Sequence, residues 1–156
     1  MYLYLVQHGE AKSKGEDPER PLTARGAEDV RLVAEFARKA GVTVAEIRHS
    51  GKWRAEQTAT ILGDRLRPRG GVVAVSGLDP NDDAVSVADV LHATADDLMI
   101  VGHLPFLMRL ASRLIVNTAE QEVVHFQMGG IVCLERYEAL SWRVDWAVTP
   151  ALLRAQ

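Results

Sequence analysis

The amino-terminal segment constrains the fold more than any other part of this 156-residue chain. Residues 2–6 (Tyr-Leu-Tyr-Leu-Val) are apolar, aromatic or β-branched without interruption, which predicts a buried central strand. The strand ends on Gln7-His8-Gly9. A histidine held by a rigid strand is well placed for chemistry, and the glycine after it lets a ligand approach the backbone closely. On this segment alone, a purely structural histidine at a strand end is an equal alternative.

Strand and helix patterns alternate through the first two thirds of the chain. The first predicted helix covers residues 24–40, with Thr23 as its N-cap and Gly41 as its stop signal. Ser50 is the expected N-cap of the second helix. The predicted strands are 2–6, 44–49, 72–75, 97–101, 123–127, 131–136 and 142–146. The last three have no helices between them, which predicts a single three-layer α/β domain over residues 1–156, with a mostly parallel central sheet, helices on both faces and an antiparallel edge near the C-terminus.

Composition excludes several classes of function. The formal net charge of -3 argues against a nucleic-acid-binding surface or a polybasic membrane surface. No apolar run reaches the roughly 18–20 residues of a membrane span, and the start of the chain lacks the basic segment of a secretory signal. Cys133 is the single cysteine, which is typical of a reducing compartment. These features predict a cytoplasmic protein.

Three predicted strands end in residues with functional chemistry. His8 follows the first strand, residues 50–54 (Ser-Gly-Lys-Trp-Arg) follow the second, and His103 follows the fourth. Parallel strands bring their carboxyl ends to one edge of the sheet, where ligands bind. We therefore expect His8, Arg54 and His103 to lie together.

These residue types favour a phosphate site. A neutral imidazole such as that of His8 can attack phosphorus and form a covalent intermediate. Arg54 can donate two parallel hydrogen bonds to phosphoryl oxygens, and it lies near a helix start that also favours anions. His103 can donate to a third oxygen. The sequence has no cysteine pair or His-x-x-x-His spacing for a metal and no glycine-rich nucleotide motif, so no cofactor is predicted.

Four separated motifs carry a family resemblance, namely His-Gly-Glu at 8–10, Arg-Pro-Leu-Thr at 20–23, Arg-Ala-Glu-Gln-Thr at 54–58 and Gly-His-Leu-Pro at 102–105. In this order they resemble the histidine phosphatase (phosphoglycerate mutase-like) superfamily, and most closely its SixA-type phosphohistidine phosphatase branch. The resemblance covers about the first 110 residues.

The resemblance implies a metal-independent phosphatase that hydrolyses phosphohistidine on a protein through a covalent phosphohistidine intermediate. It implies that His8 is the phosphoacceptor and that Arg54 and His103 complete the catalytic pocket. The Nδ1 proton of His8 is expected to bond a backbone carbonyl near Gly9. The phosphate-binding residues implied are Gln7, His8, Gly9, Arg20, Arg54 and His103. The implied partner is a phosphohistidine-bearing protein or a small phosphate ester, and the oligomeric state is left open.

Two features depart from the family pattern. The family signature opens Arg-His-Gly, whereas this chain has Gln7, an uncharged residue; loss of one preorganised donor slows such chemistry by roughly 10²–10³-fold. Arg20 or Lys52 could supply the missing charge. Asp79 and Asp82 are candidate general acids, with a turn role as the alternative. Two other functions stay open: a small-molecule phosphomonoester phosphatase and a non-catalytic relative that binds phosphorylated ligands.

Overall fold

Strands and helices alternate in the computed structural model, which describes residues 1–154. The strands are β1 (Tyr2–Gln7), β2 (Glu46–His49), β3 (Val72–Ala74), β4 (Leu98–Gly102), β5 (Ile131–Glu138) and β6 (Ser141–Val148). The helices are α1 (Ala24–Lys39), α2 (Trp53–Leu66), α3 (Ala84–His92), α4 (Phe106–Val116) and α5 (Pro150–Arg154). None of these helices is long and apolar enough to cross a membrane.

The strands form one six-stranded sheet in the order β3-β2-β4-β1-β5-β6. The pairs β1–β4, β2–β4 and β2–β3 are parallel, whereas β5 pairs antiparallel with both β1 and β6. The predicted fold class is therefore confirmed. Because β4 lies between β1 and β2, the carboxyl ends of these three parallel strands are neighbours at one edge of the sheet.

Both faces of β1 are covered, as its uninterrupted apolar run predicts. Leu3 and Leu5 are fully buried in the core against α3 and α4, whereas Tyr4 and Val6 are buried in the core against α1 and α2. Burial of each large apolar side chain contributes about 1.5–3 kcal/mol. The strand that delivers His8 is thus fixed by the packing of both layers.

Two local predictions were wrong, and one helix was missed. Residues 123–127 form no strand, because Val123, Val124 and Phe126 pack against the core on the α3–α4 face without pairing in the sheet. Helix α5 was not predicted; it follows β6 directly and packs against α1. Ser50 is not the N-cap of α2, since that position is Lys52, which makes no capping side-chain bond. The Ser50 hydroxyl instead hydrogen-bonds a histidine from another strand end.

Candidate active site

The residues that follow β1, β2 and β4 meet at one edge of the sheet. The backbone N–H of His8 donates to Gly102 O at 3.0 Å, which ties the end of β1 to the end of β4. The imidazole of His103, the next residue, lies with its ring centroid 5.1 Å from that of His8, and the two ring planes are inclined by 52°. Parallel pairing therefore brings together two histidines that are 95 residues apart in the chain.

His8 is a buried, neutral imidazole. The residue is only 8% exposed to solvent, and its Nδ1 lies 2.7 Å from Gly9 O. Since a carbonyl can only accept, Nδ1 carries the proton and Nε2 keeps its lone pair. Burial lowers the pKa of His8 to about 4; the bond to Gly9 opposes this effect, and the charges of Arg54 and Arg20 add to it. His8 is thus unprotonated at neutral pH, the state that a nucleophile requires.

His103 is buried more deeply, at 2% exposure. Its Nε2 is hydrogen-bonded to the Ser50 hydroxyl at 2.6 Å, and its Nδ1 is buried without a partner within residues 1–154. Burial lowers the pKa of His103 to about 3, with further contributions from His8, Arg54 and two other cations. His103 is therefore also neutral, with one ring nitrogen unpaired among residues 1–154.

Arg54 lies in the first turn of α2, where backbone N–H groups and the helix dipole favour an anion. Burial lowers the pKa of its guanidinium, as does the charge of Arg20, while Asp79 opposes them. Within the described residues, Arg54 Nε is buried and unpaired. A buried, unpaired guanidinium N–H is a strong hydrogen-bond donor, which suits the binding of an anion.

Arg20 reaches the same place from the loop before α1. This loop is tied by a bridge between Ala11 and Leu22, and Arg20 Nε donates to Lys12 O at 3.0 Å. The backbone of Arg20 has a φ of 50°, a left-handed conformation that costs a non-glycine residue roughly 1–2 kcal/mol. The loop thus holds Arg20 in a strained conformation beside Arg54, whose pKa it lowers.

Arg20 and Arg54 line an open cleft of about 670 Å³, whereas the buried His8 and His103 are not among its lining residues. Its lining includes four cations and three carboxylates among its polar and aromatic residues. The lining residues are Lys14, Pro18, Glu19, Arg20, Lys52, Trp53, Arg54, Asp79, Pro80, Asn81 and Asp82. We call this the site cleft.

Gln7 and Gly9 flank His8 on either side. The side-chain oxygen of Gln7 is buried without a hydrogen-bond partner in the described part of the chain. A half-turn of this amide would present its NH2 group instead, which is the orientation that suits an anion. A Cβ on Gly9 would lie 2.9 Å from Val30 Cγ2 and 3.0 Å from Gly26 O, so glycine is required by the packing of α1 against this loop.

Asp79 and Asp82 lie in the lining of the site cleft, in the turn before α3. Asp82 accepts a hydrogen bond from the backbone N–H of Asp79 at 2.8 Å, which is a turn role. Asp79 Oδ1 lies 4.0 Å from Lys52 Nζ. Asp79 therefore has its carboxylate in the cleft, whereas one oxygen of Asp82 is occupied by the turn.

Three residues of this site escaped the sequence analysis. Thr58 Oγ1 accepts a hydrogen bond from Gly9 N at 3.0 Å and donates one to Arg54 O at 2.8 Å. Thr58 therefore joins the segment after β1 to helix α2. Gln57 accepts from Leu22 N at 2.8 Å and anchors the loop of Arg20. Ser50 contacts His103. The only signal in the sequence was their position inside or just before the 54–58 motif.

Comparisons with known proteins show what the chain is similar to. Residues 3–79 match the histidine phosphatase superfamily (branch 1). The chain is 25% identical to the phosphohistidine phosphatase SixA of Escherichia coli K12 over 159 aligned residues, which cover 99% of this chain and 97% of SixA.

Solved structures give the same result for the fold. A structure of the protein histidine phosphatase SixA complexed with tungstate superposes with a TM-score of 0.86 and 26% identity, covering 98% of this chain and 99% of that one. The alpha-ribazole phosphatase of Shigella flexneri shares the fold at 18% identity, with a TM-score of 0.74 and coverage of 92% and 95%. The same fold thus occurs in phosphatases named for different substrates.

Proposed function

This chain belongs to the histidine phosphatase superfamily, and we propose that it hydrolyses phosphohistidine on a partner protein through a covalent phosphohistidine intermediate on His8. The family match and the full-length similarity to SixA support a phosphatase. The observation that carries the finer proposal is the state of His8. Its Nδ1 proton is committed to Gly9 O, so Nε2 is left with a free lone pair in a pocket of cationic and neutral donors.

In the first step, Nε2 of His8 attacks phosphorus. A new N–P bond forms while the P–N bond to the substrate imidazole breaks, and the electron pair of that bond stays on the leaving nitrogen. The substrate ring, protonated on its other nitrogen, leaves as a neutral imidazole. In the second step, water attacks phosphorus, the N–P bond pair returns to Nε2, and both protons of the water leave with the released dihydrogen phosphate.

Four side chains are assigned to hold the phosphoryl group. Arg54 donates through its guanidinium, whose buried Nε has no other partner among residues 1–154, and Arg20 adds a second positive charge from the loop. His103 and Gln7 donate without charge. Donors fixed before the substrate arrives lower the barrier because they need no reorganisation as charge develops.

Phosphohistidine suits this site better than an ester with an alkoxide leaving group. An imidazole has an unperturbed pKa near 6.5, so it departs readily once protonated, whereas an alkoxide needs a strong general acid. Asp79 and Asp82 are the candidate acids in the turn before α3, and Asp82 is engaged in that turn. A phosphohistidine ring that is already protonated on its other nitrogen does not need a strong general acid from the protein.

Gln7 sets the expected rate. An arginine at this position would add a charged, bidentate partner for the phosphoryl group, whereas Gln7 offers one neutral NH2 group. We therefore propose a weakened phosphatase, slower by up to roughly 10²–10³-fold than a pocket with the arginine. Arg20 supplies part of the missing charge, since its field reaches both His8 and Arg54.

A second candidate is a phosphatase of small phosphate esters. The observation that favours it is the Asp79 carboxylate in the lining of an open cleft of about 670 Å³, large enough for a small organic phosphate. In this case Asp79 would protonate the leaving oxygen. The Asp79→Asn variant separates the two candidates, because it removes ester hydrolysis and leaves phosphohistidine hydrolysis unchanged.

The decisive experiment compares the wild type with His8→Ala and Gln7→Arg on two substrates, a phosphohistidine-bearing protein and p-nitrophenyl phosphate. His125→Ala is the matched control, since His125 is an exposed histidine paired with Glu122. His8→Ala should lower turnover by at least about 10³-fold, Gln7→Arg should raise it by up to roughly 10²–10³-fold, and the control should match the wild type. An acid-labile, alkali-stable phosphoenzyme should form in the wild type and be absent in His8→Ala.

Two results would overturn the proposal. Unchanged hydrolysis in His8→Ala would remove His8 as the phosphoacceptor. Phosphate binding without turnover in all forms, Gln7→Arg included, would show a phosphate-binding protein that is not an enzyme.

A further inference from the structure

We propose that Ser50 is a positioning residue for His103: its hydroxyl donates to Nε2 and thereby keeps the ring proton of His103 on Nδ1, where it meets the bound phosphoryl group. The effect of Ser50 on catalysis rests on the proposed function. The proton position itself does not, since it is a property of the free protein.

The first support is the contact itself. Ser50 Oγ and His103 Nε2 are 2.6 Å apart, at the short end for a hydrogen bond with a hydroxyl. The two residues follow β2 and β4, which are paired strands. The contact is thus built on the sheet and does not depend on a surface loop.

The turn that carries Ser50 is held rigidly. Gly51 has a φ of 89°, a conformation that favours glycine, and its backbone N–H donates to His49 Nδ1 at 3.1 Å. His49 is 4% exposed and its carbonyl accepts from Val75 N at 2.9 Å. The buried His49 therefore fixes the turn, and the turn aims the Ser50 hydroxyl.

The direction of the bond follows from what each group can do. A neutral imidazole has one N–H and one lone pair, and His103 is neutral. The Ser50 oxygen also lies 3.4 Å from the backbone N–H of Lys52, for which it is the acceptor. With that N–H on the Ser50 oxygen, we assign the hydroxyl proton to Nε2; Nε2 then carries the lone pair and the ring proton sits on Nδ1.

The position of the ring proton determines what Nδ1 of His103 can do. Nδ1 of His103 is buried and has no partner within residues 1–154. With Nε2 occupied by Ser50, Nδ1 is the ring atom left for a ligand. A proton there donates to a phosphoryl oxygen, whereas a lone pair there would repel the anion. Ser50 thereby decides whether His103 helps or hinders binding.

The same pair does not act as a serine nucleophile with its base. Such a dyad needs an imidazole that accepts the hydroxyl proton during attack. The low basicity of His103, buried beside His8 and near Arg54, opposes that transfer. Orientation is the role that the geometry supports.

The test begins with the wild type labelled with ¹⁵N at histidine. The ¹⁵N shifts of the ring nitrogens distinguish the two tautomers, and we expect His103 with a protonated Nδ1. A protonated Nε2 in the wild type would overturn the proposal without any variant.

Two variants then link the tautomer to the ligand. In Ser50→Ala we expect a mixture of tautomers at His103 and an affinity for inorganic phosphate lowered by about tenfold. Ser50→Thr keeps the hydroxyl and should retain the wild-type tautomer and affinity. On phosphohistidine protein, Ser50→Ala should lower kcat more than it changes KM, since the donor acts on the charge that develops during transfer.

The outcomes separate this inference from the proposed function. An unchanged tautomer and unchanged phosphate affinity in Ser50→Ala would refute the role of Ser50, whatever the turnover. A wild type that shows the Nδ1–H tautomer and its loss in Ser50→Ala, but hydrolyses no phosphohistidine, would support Ser50 and reject the proposed substrate.

Discussion

Replacement of Gly26 by alanine tests whether the packing of α1 fixes residues 8–10, the segment that follows β1 and carries His8. Gly26 is buried in the first turn of α1. A Cβ there would lie 2.1 Å from Glu10 O and 2.9 Å from Glu10 C and N, all of them backbone atoms that cannot rotate away. Glu10 is two residues after His8, so the helix rests directly on the segment that carries the proposed nucleophile.

Three contributions set the magnitude. Alanine favours a helix interior over glycine by about 1 kcal/mol. Against this, overpacking costs about 1–3 kcal/mol, here at its upper end because the clash is with backbone. The bond from Thr23 N to Glu10 O, 2.9 Å long, is also disturbed at a cost of about 1 kcal/mol. We expect Gly26→Ala to lower the free energy of unfolding by about 2–3 kcal/mol.

Chemical denaturation and thermal unfolding measure this change, with a Tm lower by roughly 4–12 °C for a chain of this size. The matched control is Gly15→Ala, whose nearest neighbour would be Ser13 Oγ at 3.9 Å; it should stay within about 0.5 kcal/mol of the wild type. If the loop shifts to relieve the clash, turnover should also fall, by about 10²-fold for a displacement near 1 Å. A Gly26→Ala protein as stable and as active as the wild type would refute the reasoning.

Two further predictions concern the buried groups of the site. His8 and His103 have pKa values of about 4 and about 3 in the folded state, below the unfolded value near 6.5. At a pH between the folded and unfolded values, the unfolded chain binds more protons than the folded one. The free energy of unfolding should therefore fall as the pH decreases, by roughly 1 kcal/mol per pH unit for each histidine. Denaturation at pH 7.5, 6 and 5 measures this slope, and the same slope in the double variant to asparagine would contradict it. Thr58→Val removes the acceptor of Gly9 N and the donor to Arg54 O, so it should cost about 1–3 kcal/mol in urea unfolding, whereas Thr58→Ser should restore most of it; equal stability of both variants would count against the bridging role.

The layout of the site was predictable because it follows from backbone geometry. An uninterrupted apolar run such as residues 2–6 predicts a strand covered on both faces, and parallel strands place their carboxyl ends at one edge. The proximity of His8 and His103 therefore required only the correct assignment of β1 and β4. The fold class followed from the same alternation of strands and helices.

The segment 123–127 and helix α5 were missed for two separate physical reasons. The pattern over residues 123–127 records that Val123, Val124 and Phe126 are apolar, but not whether their partners are strands or helix side chains. They bury their side chains against the α3–α4 face and leave their backbone outside the sheet. Helix α5 is five residues long, too short for a periodic signal.

The contacts of Ser50 with His103 and of Thr58 with Gly9 could not be predicted from the sequence for a different reason. Ser50 meets His103 across 53 residues, and Thr58 meets Gly9 across 49. Both have short hydroxyl side chains that act locally as helix caps or as part of an apolar stripe, and the local role was the natural prediction. Their actual partners are decided by the order of strands in the sheet.

The backbone and the side chain of Gln7 are determined separately, so a substitution at this position can test the side chain by itself. The backbone at this position is fixed by pairing with β4 and by the bond from Gly129 N to Gln7 O, so the side chain can change without disturbing the fold. Arg54 and His103 keep their places on separate elements. The Gln7→Arg variant should then add one positive charge next to His8 while the strand pairing stays as it is. The rate of Gln7→Arg therefore measures what a charged, bidentate donor at this position contributes.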